Sequence, residues 1–180
     1  MNFVIETTRL VLRPFLISDT EALFLLDSNP NVHRYLGNKP VISIEECDKV
    51  IQNILQQYDI HGIGRFAILL KETNECIGWA GLKFITEPEN NHVNYYDIGY
   101  RLQEAYWGKG YGQEAAKAWF DYAIKEMKID ALFASAHIDN IASNNILKKI
   151  GLQQKESYLH QGIPCYWYEF ENNKQAIGNQ

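Results

Sequence analysis

The sequence predicts an α/β (α+β) domain, a mixed sheet with helices packed on its faces. Short apolar segments with strand alternation recur through the 180 residues, and segments with helical spacing interrupt them in the order β-α-α-β-β-β-α-β-α-β-β. No internal repeat and no long linker divides the chain. We therefore expect a single domain over 1–180, with its core at about 7–171 and a polar, frayed tail over 172–180.

The elements follow in order. Residues 8–15 alternate polar and apolar, as a half-buried strand does. Ser18 and Glu21 make a capping box for a helix carrying Ala22, Leu23, Leu25 and Leu26, which Asn29-Pro30 ends. Ser43 and Glu46 make a second box, for a helix near 44–58 with Val50, Ile51, Ile54 and Leu55 on its inner face. His61-Gly62-Ile63-Gly64 breaks the chain. Strands at 65–70 and 76–84 flank a turn at Glu72–Glu75. A longer strand, 92–102, contains Gly99, the mark of a bulge or a close backbone approach. A helix then sets Ala116, Trp119, Phe120, Ala123 and Met127 on one face. A strand at 131–137, a helix from Asn140 to about Ile150 stopped by Gly151, and strands near 152–159 and 164–171 complete the order.

Composition narrows the function. Hydrophobic residues make up 46% and charged residues 22%, and the net charge of −5 argues against a nucleic-acid binder working through a basic surface. Cys47, Cys76 and Cys165 are too few and too scattered for a disulfide framework or a metal cluster, so no metal is expected. The opening residues do not read as a signal peptide, and no apolar run approaches membrane length. The expected setting is cytoplasmic, without a membrane partner.

The chemistry concentrates in Trp107-Gly108-Lys109-Gly110-Tyr111-Gly112. Glycines permit positive φ and close approach to a ligand, and a helix opening directly behind them offers free N–H groups to an anion. The stretch reads as a phosphate cradle. It is not a P-loop, because no Ser or Thr follows Lys109, and Gln113 stands where a dinucleotide fingerprint needs its third glycine.

Tyr96-Asp97-Ile98-Gly99-Tyr100, followed by Tyr106-Trp107-Gly108-Lys109-Gly110-Tyr111-Gly112-Gln113-Glu114-Ala115, resembles the acetyl-CoA signature of the GNAT N-acetyltransferases. Asn140-Ile141-Ala142-Ser143 with Leu147-Lys148-Lys149-Ile150-Gly151-Leu152 resembles their second signature. Thr8-Arg9-Leu10-Val11-Leu12-Arg13-Pro14 is similar to the opening of the subgroup that acetylates ribosomal-protein N-termini. The resemblance implies a mostly antiparallel sheet with helices on both faces, in which the 92–102 strand splays from the 131–137 strand and acetyl-CoA lies in the wedge. The backbone at Tyr100, Arg101 and Leu102 would hold the pantetheine arm. The N–H groups of Trp107, Gly108, Lys109, Gly110, Tyr111, Gly112 and Gln113 would hold the pyrophosphate. Two positions depart from the family pattern: Trp107 stands where Gln or Arg is usual, and Leu147 stands where many members carry a proton-donating tyrosine, although the ribosomal-protein subgroup shares the leucine.

Other roles stay open between structure and chemistry. Asn140 caps its helix, alone or with a contact to pantetheine. Ser143 is either a small packing residue or a donor to the departing thiolate and a cofactor contact. Asp97 is either a structural strand carboxylate or the acceptor of the amine's proton through a water. His137 is a second candidate for that task. The resulting expectation is acetyl transfer from acetyl-CoA, a co-substrate, to a primary amine by direct attack in a ternary complex, since no cysteine is placed as an acyl carrier. A lysine amine of pKa near 10.4 is about 0.04% neutral at pH 7, whereas an α-amine of pKa about 7.7–8.0 is roughly 10–17% neutral. A site without an obvious strong base therefore suits a peptide N-terminus. A small amine (polyamine, amino acid or antibiotic) and a catalytically weak CoA-binding module remain alternatives. Oligomeric state stays open, with a homodimer admitted.

Overall fold

The structure is a computed structural model that describes residues 3–172. Eight strands form one sheet in the order β1-β2-β3-β4-β5-β6-β8-β7. They are β1 (Ile5–Glu6), β2 (Leu10–Pro14), β3 (Arg65–Leu70), β4 (Cys76–Ile85), β5 (Tyr95–Leu102), β6 (Ala131–His137), β7 (Gln153–His160) and β8 (Ile163–Glu171). The helices are α1 (Thr20–Asp27), α2 (Pro30–His33), α3 (Ile44–His61), α4 (Tyr111–Lys125) and α5 (Ile141–Ile150). Neighbouring strands are antiparallel except β5 and β6, which run parallel.

Alternation along β5 sorts the helices onto two faces. Tyr100 and Leu102 point toward α4, where they stand beside Gly112. Arg101 points the other way and pairs with Asp27 of α1. With helices on both faces, β3 buries Phe66, Ala67, Ile68 and Leu69 consecutively instead of alternating. Trp119 of α4 meets Phe66 edge-on, with ring centroids 4.8 Å apart, and anchors the main core. A smaller cluster of Tyr95, Phe133 and Trp167 lies on the α1 side of β5, β6 and β8.

Several local expectations need correction. Residues 5–6 add a strand, and Pro30 opens the short helix α2, capped by the Asn29 side chain, after α1 has ended at Asp27. Ser18 does not cap α1. Asp19 instead accepts the Leu16 N–H at 2.8 Å and takes both arms of Arg13 from the end of β2, so the local cap also holds an ion pair. Ser43 occupies the N-cap of α3 without a side-chain bond, and Glu46 reaches back to the Ile42 N–H at 3.2 Å. Val50 is exposed, and Cys47, Ile51, Ile54 and Tyr58 form the buried stripe. α4 ends at Lys125, before Met127. Gly99 stands directly opposite Gly81 with no bulge, and register shifts lie instead in the β3–β4 pair near Leu69 and in the β7–β8 pair between Gln154 and Ser157. Asn172 is tied down, donating to Asp130 O at 2.7 Å, and the rest of the expected frayed tail lies outside the described residues. No helix of the described residues is long and apolar enough to cross a membrane.

Candidate active site

The sheet opens at its centre. β5 remains paired to β4 as far as Leu102↔Gly78, but its register with β6 contains only Asp97↔Phe133. Beyond Asp97 the two parallel strands diverge, and the β5 edge from Ile98 to Leu102 borders a wedge. α4 and α5 close it on one side. A Cβ on Gly112 would lie 3.5 Å from Leu102 Cδ1 and 3.6 Å from Ile146 Cδ1, ordinary contact distances that place α4 directly over the splay.

The glycine loop stands at the mouth of this wedge. Gly108 (φ +71°) and Gly110 (φ +82°) adopt the left-handed conformation that favours glycine, and Gly110 is the N-cap of α4. The N–H groups of Gly108, Lys109, Gly110, Tyr111, Gly112 and Gln113 meet no protein acceptor among the described residues. Such a run of donors at a helix N-terminus suits a multi-oxygen anion such as a pyrophosphate. Trp107 does not belong to that run. Its N–H bonds Glu104 O at 3.1 Å, and its indole N–H bonds Leu102 O at 2.8 Å. The same indole occupies the Leu102 carbonyl, one of the backbone groups expected to face pantetheine. Lys109 Nζ stands 5.3 Å from the Tyr106 ring centroid.

α5 forms the opposite wall. Asn140 caps it, accepting the Ser143 N–H at 3.1 Å. Ser143 Oγ lies 3.0 Å from the Tyr100 hydroxyl, which also donates to Ser143 O at 3.1 Å. Burial pushes the Tyr100 phenol well above its ordinary pKa. Leu147 is 2% exposed and packs in the core, so it lies outside the wedge. Asn144 ties α5 to the end of β6. Its amide donates to His137 O at 3.0 Å and Ile138 O at 3.2 Å, and it accepts from the Tyr168 hydroxyl at 2.7 Å.

The other side of β5 carries charge. Asp97 accepts from Arg65, whose guanidinium also donates to Gly81 O and, at 3.0 Å, to Asp97 O. Arg65 explains Gly99, where a Cβ would come within 2.9 Å of Arg65 Nη2. Burial raises the Asp97 pKa, and the Arg65 charge opposes that rise without cancelling it. Trp79 lies between two guanidiniums, Arg65 at 5.1 Å and Arg101 at 5.2 Å from its ring centroid. Arg101 completes the row on Asp27 at 2.6 Å, beside a buried His33 whose ring nitrogens have no hydrogen-bond partner and whose pKa burial and Arg101 depress.

Three segments enclose this side. From 34–43, Tyr35 packs on His137 at 5.2 Å, and a Cβ on Gly37 would touch Ile163 of the β7–β8 hairpin at 3.2 Å. From 86–94, Glu89 accepts from the Tyr158 hydroxyl at 2.7 Å, the Tyr95 hydroxyl at 3.2 Å and His160 Nδ1. Burial alone would raise the Glu89 pKa, but the bonds from Tyr158 and His160 outweigh it and hold the carboxyl below its ordinary value. His137 accepts the Asp139 N–H on Nδ1 at 3.0 Å, which puts the proton of its neutral ring on Nε2. Arg65 and Glu89 carry no local motif; strand pairing reveals the first, and the packing of the 86–94 loop on β7 reveals the second. Arg9 and Glu114 stood inside quoted motifs, yet their mutual contact required the fold.

Residues 9–153 match the acetyltransferase (GNAT) domain family, and the chain belongs to it. The chain is 32% identical over 174 residues to the N-acetyltransferase YoaA of Bacillus subtilis (strain 168), covering 97% of this chain and 96% of YoaA. It is 30% identical over 170 residues to the N-acetyltransferase YnaD of the same organism, covering 92% and 93%. Among solved structures, a GNAT-family acetyltransferase from Bacillus anthracis superposes with a TM-score of 0.78 at 24% identity, over 96% of this chain and all of that one. RimL, a ribosomal L7/L12 α-N-protein acetyltransferase in complex with coenzyme A, superposes with a TM-score of 0.79 at 23% identity, over 94% and 98%. The protein is thus an acetyl-CoA-dependent N-acetyltransferase by family.

Proposed function

We propose that this enzyme acetylates the α-amine of a peptide N-terminus by direct attack on acetyl-CoA within a ternary complex, as one catalytic domain in the cytoplasm. The observation that carries the reading is Asp97, the last β5 residue paired with β6, on the opposite side of the wedge from Ser143. The pyrophosphate lies on the N–H groups of Gly108 to Gln113, and pantetheine runs along β5 between Tyr100 and Asn140. The amine nitrogen forms the new bond to the acetyl carbon, and the carbon–sulfur bond breaks with its electron pair on sulfur. The amine's proton passes through a water to the Asp97 carboxylate. The Ser143 hydroxyl, directly or through a water it holds, donates a hydrogen bond to the departing thiolate, which then takes its proton from solvent.

Asp97 is tied to Arg65, which limits how strongly it can attract a proton from a lysine-like ammonium. An α-amine, already about 10–17% neutral at pH 7, needs little help. The opening Thr8-Arg9-Leu10 segment, similar to that of ribosomal-protein N-terminal acetyltransferases, points the same way. The test is release of free CoA thiol with a panel of peptides with free N-termini, Nα-blocked lysine peptides, polyamines, amino acids and aminoglycosides. Turnover is expected with the free N-termini. Preference for a small amine would replace the acceptor, and no turnover with any amine would leave a CoA-binding module.

A further inference from the structure

We propose that Arg9 is a positioning residue for the pyrophosphate of the acetyl donor, acting through the Lys109–Gly110 peptide plane and through Glu114. The proposal rests on the cradle reading above. Arg9 lies just before β2, far from the loop in sequence, yet its side chain holds the loop. Its Nη1 donates to Lys109 O at 2.9 Å. Its Nε and Nη2 bind Glu114 Oε2 at 2.7 and 2.6 Å, and its backbone N–H binds Glu114 Oε1 at 2.9 Å. The guanidinium stands 4.3 Å from the Tyr111 ring centroid. Thr7 Oγ1 adds a bond to Glu114 Oε1 at 2.6 Å.

Two consequences follow. A trans peptide directs its C=O and N–H to opposite sides. Holding the Lys109 carbonyl toward Arg9 therefore turns the Gly110 N–H away from Arg9, among the unpartnered donors of the loop. Gly110, at φ +82°, accepts that plane without a Cβ, which would lie 3.3 Å from Arg9 Nη2. Without Arg9 the plane is free to rotate and present a carbonyl oxygen to the phosphate. The second consequence concerns charge. Glu114 lies in the first turn of α4, where a free carboxylate would repel an anion bound at the same helix end. Burial would raise its pKa, but the bonds from Thr7 and Arg9 outweigh burial and keep it ionised, and Arg9 offsets that charge.

Steady-state kinetics with two donors tests this: acetyl-CoA, and acetyl-pantetheine, which has the same thioester and no pyrophosphate. Arg9→Ala is expected to raise KM for acetyl-CoA about tenfold or more, the loss of one bond to a charged group, and to leave KM for acetyl-pantetheine and kcat within about twofold. Arg9→Lys keeps the charge but cannot fork between Lys109 O and Glu114, so it should fall between wild type and Arg9→Ala while its thermal midpoint stays near wild type. Glu114→Gln added to Arg9→Ala should recover part of the loss. An unchanged KM for acetyl-CoA in Arg9→Ala, or an equal rise for both donors, overturns the proposal. Failure of the cradle reading looks different: the wild type itself would show no preference for acetyl-CoA over acetyl-pantetheine.

Discussion

On the α4 and α5 side of β5, the polar groups free to meet a ligand are mostly backbone N–H groups, set by two glycines and a helix start, with the Ser143 hydroxyl on the α5 wall. On the other side they are side chains, and the charged ones are already engaged: Asp97 by Arg65, Asp27 by Arg101, and Glu89 by Tyr95, Tyr158 and His160. Backbone donors are present whichever side chains the loop residues carry, with Arg9 holding the Lys109–Gly110 plane, which suits a cofactor shared across a family. Side-chain pairs spanning several strands and loops can change one at a time, which suits an acceptor that differs between members. Two carboxylates, one from each side, also titrate in opposite directions, Glu114 shifted down and Asp97 up, although Glu89 near Asp97 is shifted down as well.

The largest effect expected of this contrast is at Asp97. Asp97→Asn should lower kcat by about 10²–10⁴ with acetyl-CoA affinity retained, and should remove the acidic limb of the pH–rate profile. A variant within a few fold of wild type would leave Asp97 a structural partner of Arg65. Next is Ser143→Ala, where a CoA thiol of pKa near 8.5 leaves tolerably without help, so kcat should fall at the lower end of that range, about 10². A rise in KM for acetyl-CoA with kcat intact would make Ser143 a cofactor contact. Leu147→Tyr should not restore the rate of Ser143→Ala. The ring would enter the core, and the expected result is a stability loss of about 1–3 kcal/mol by urea denaturation.

Gly110→Val tests the backbone side. It should weaken acetyl-CoA binding by calorimetry, and its positive φ should also cost about 1–2 kcal/mol of stability. An intact affinity in the folded variant would show that the loop does not approach the cofactor.

The smallest effects lie in pH. Glu114, with its pKa depressed, contributes stability that is present above its ordinary value of 4.5 and fades as pH falls through the depressed value. Asp97, with its pKa raised, contributes stability that is present below its ordinary value of 3.8 and is lost as pH rises through the raised value. Urea midpoints across acid pH should therefore show wild type losing its advantage over Glu114→Gln on acidification and gaining against Asp97→Asn. Parallel curves for both pairs would erase the contrast.

Local chemistry was enough to read the backbone of the glycine loop and the order of the elements, β1 and α2 excepted. Gly108 and Gly110 suit their own positive φ, Asn140 caps the helix that it starts, and the apolar period of α4 declares its buried face through Ala123. Sequence reading missed where a side chain met a partner that its immediate neighbours do not announce. Asp19 holds the Leu16 N–H and also both arms of Arg13, and Gly99 is small to admit Arg65 from two strands away. Leu147 points into the core, which only the packing of α5 could decide. Backbone conformation depends on neighbours along the chain, so sequence by itself determines it well. The charged side of β5 depends on Arg65, Glu89, Tyr158 and Arg101 meeting across strands and loops, and that meeting exists only once strand register and loop closure have brought them together.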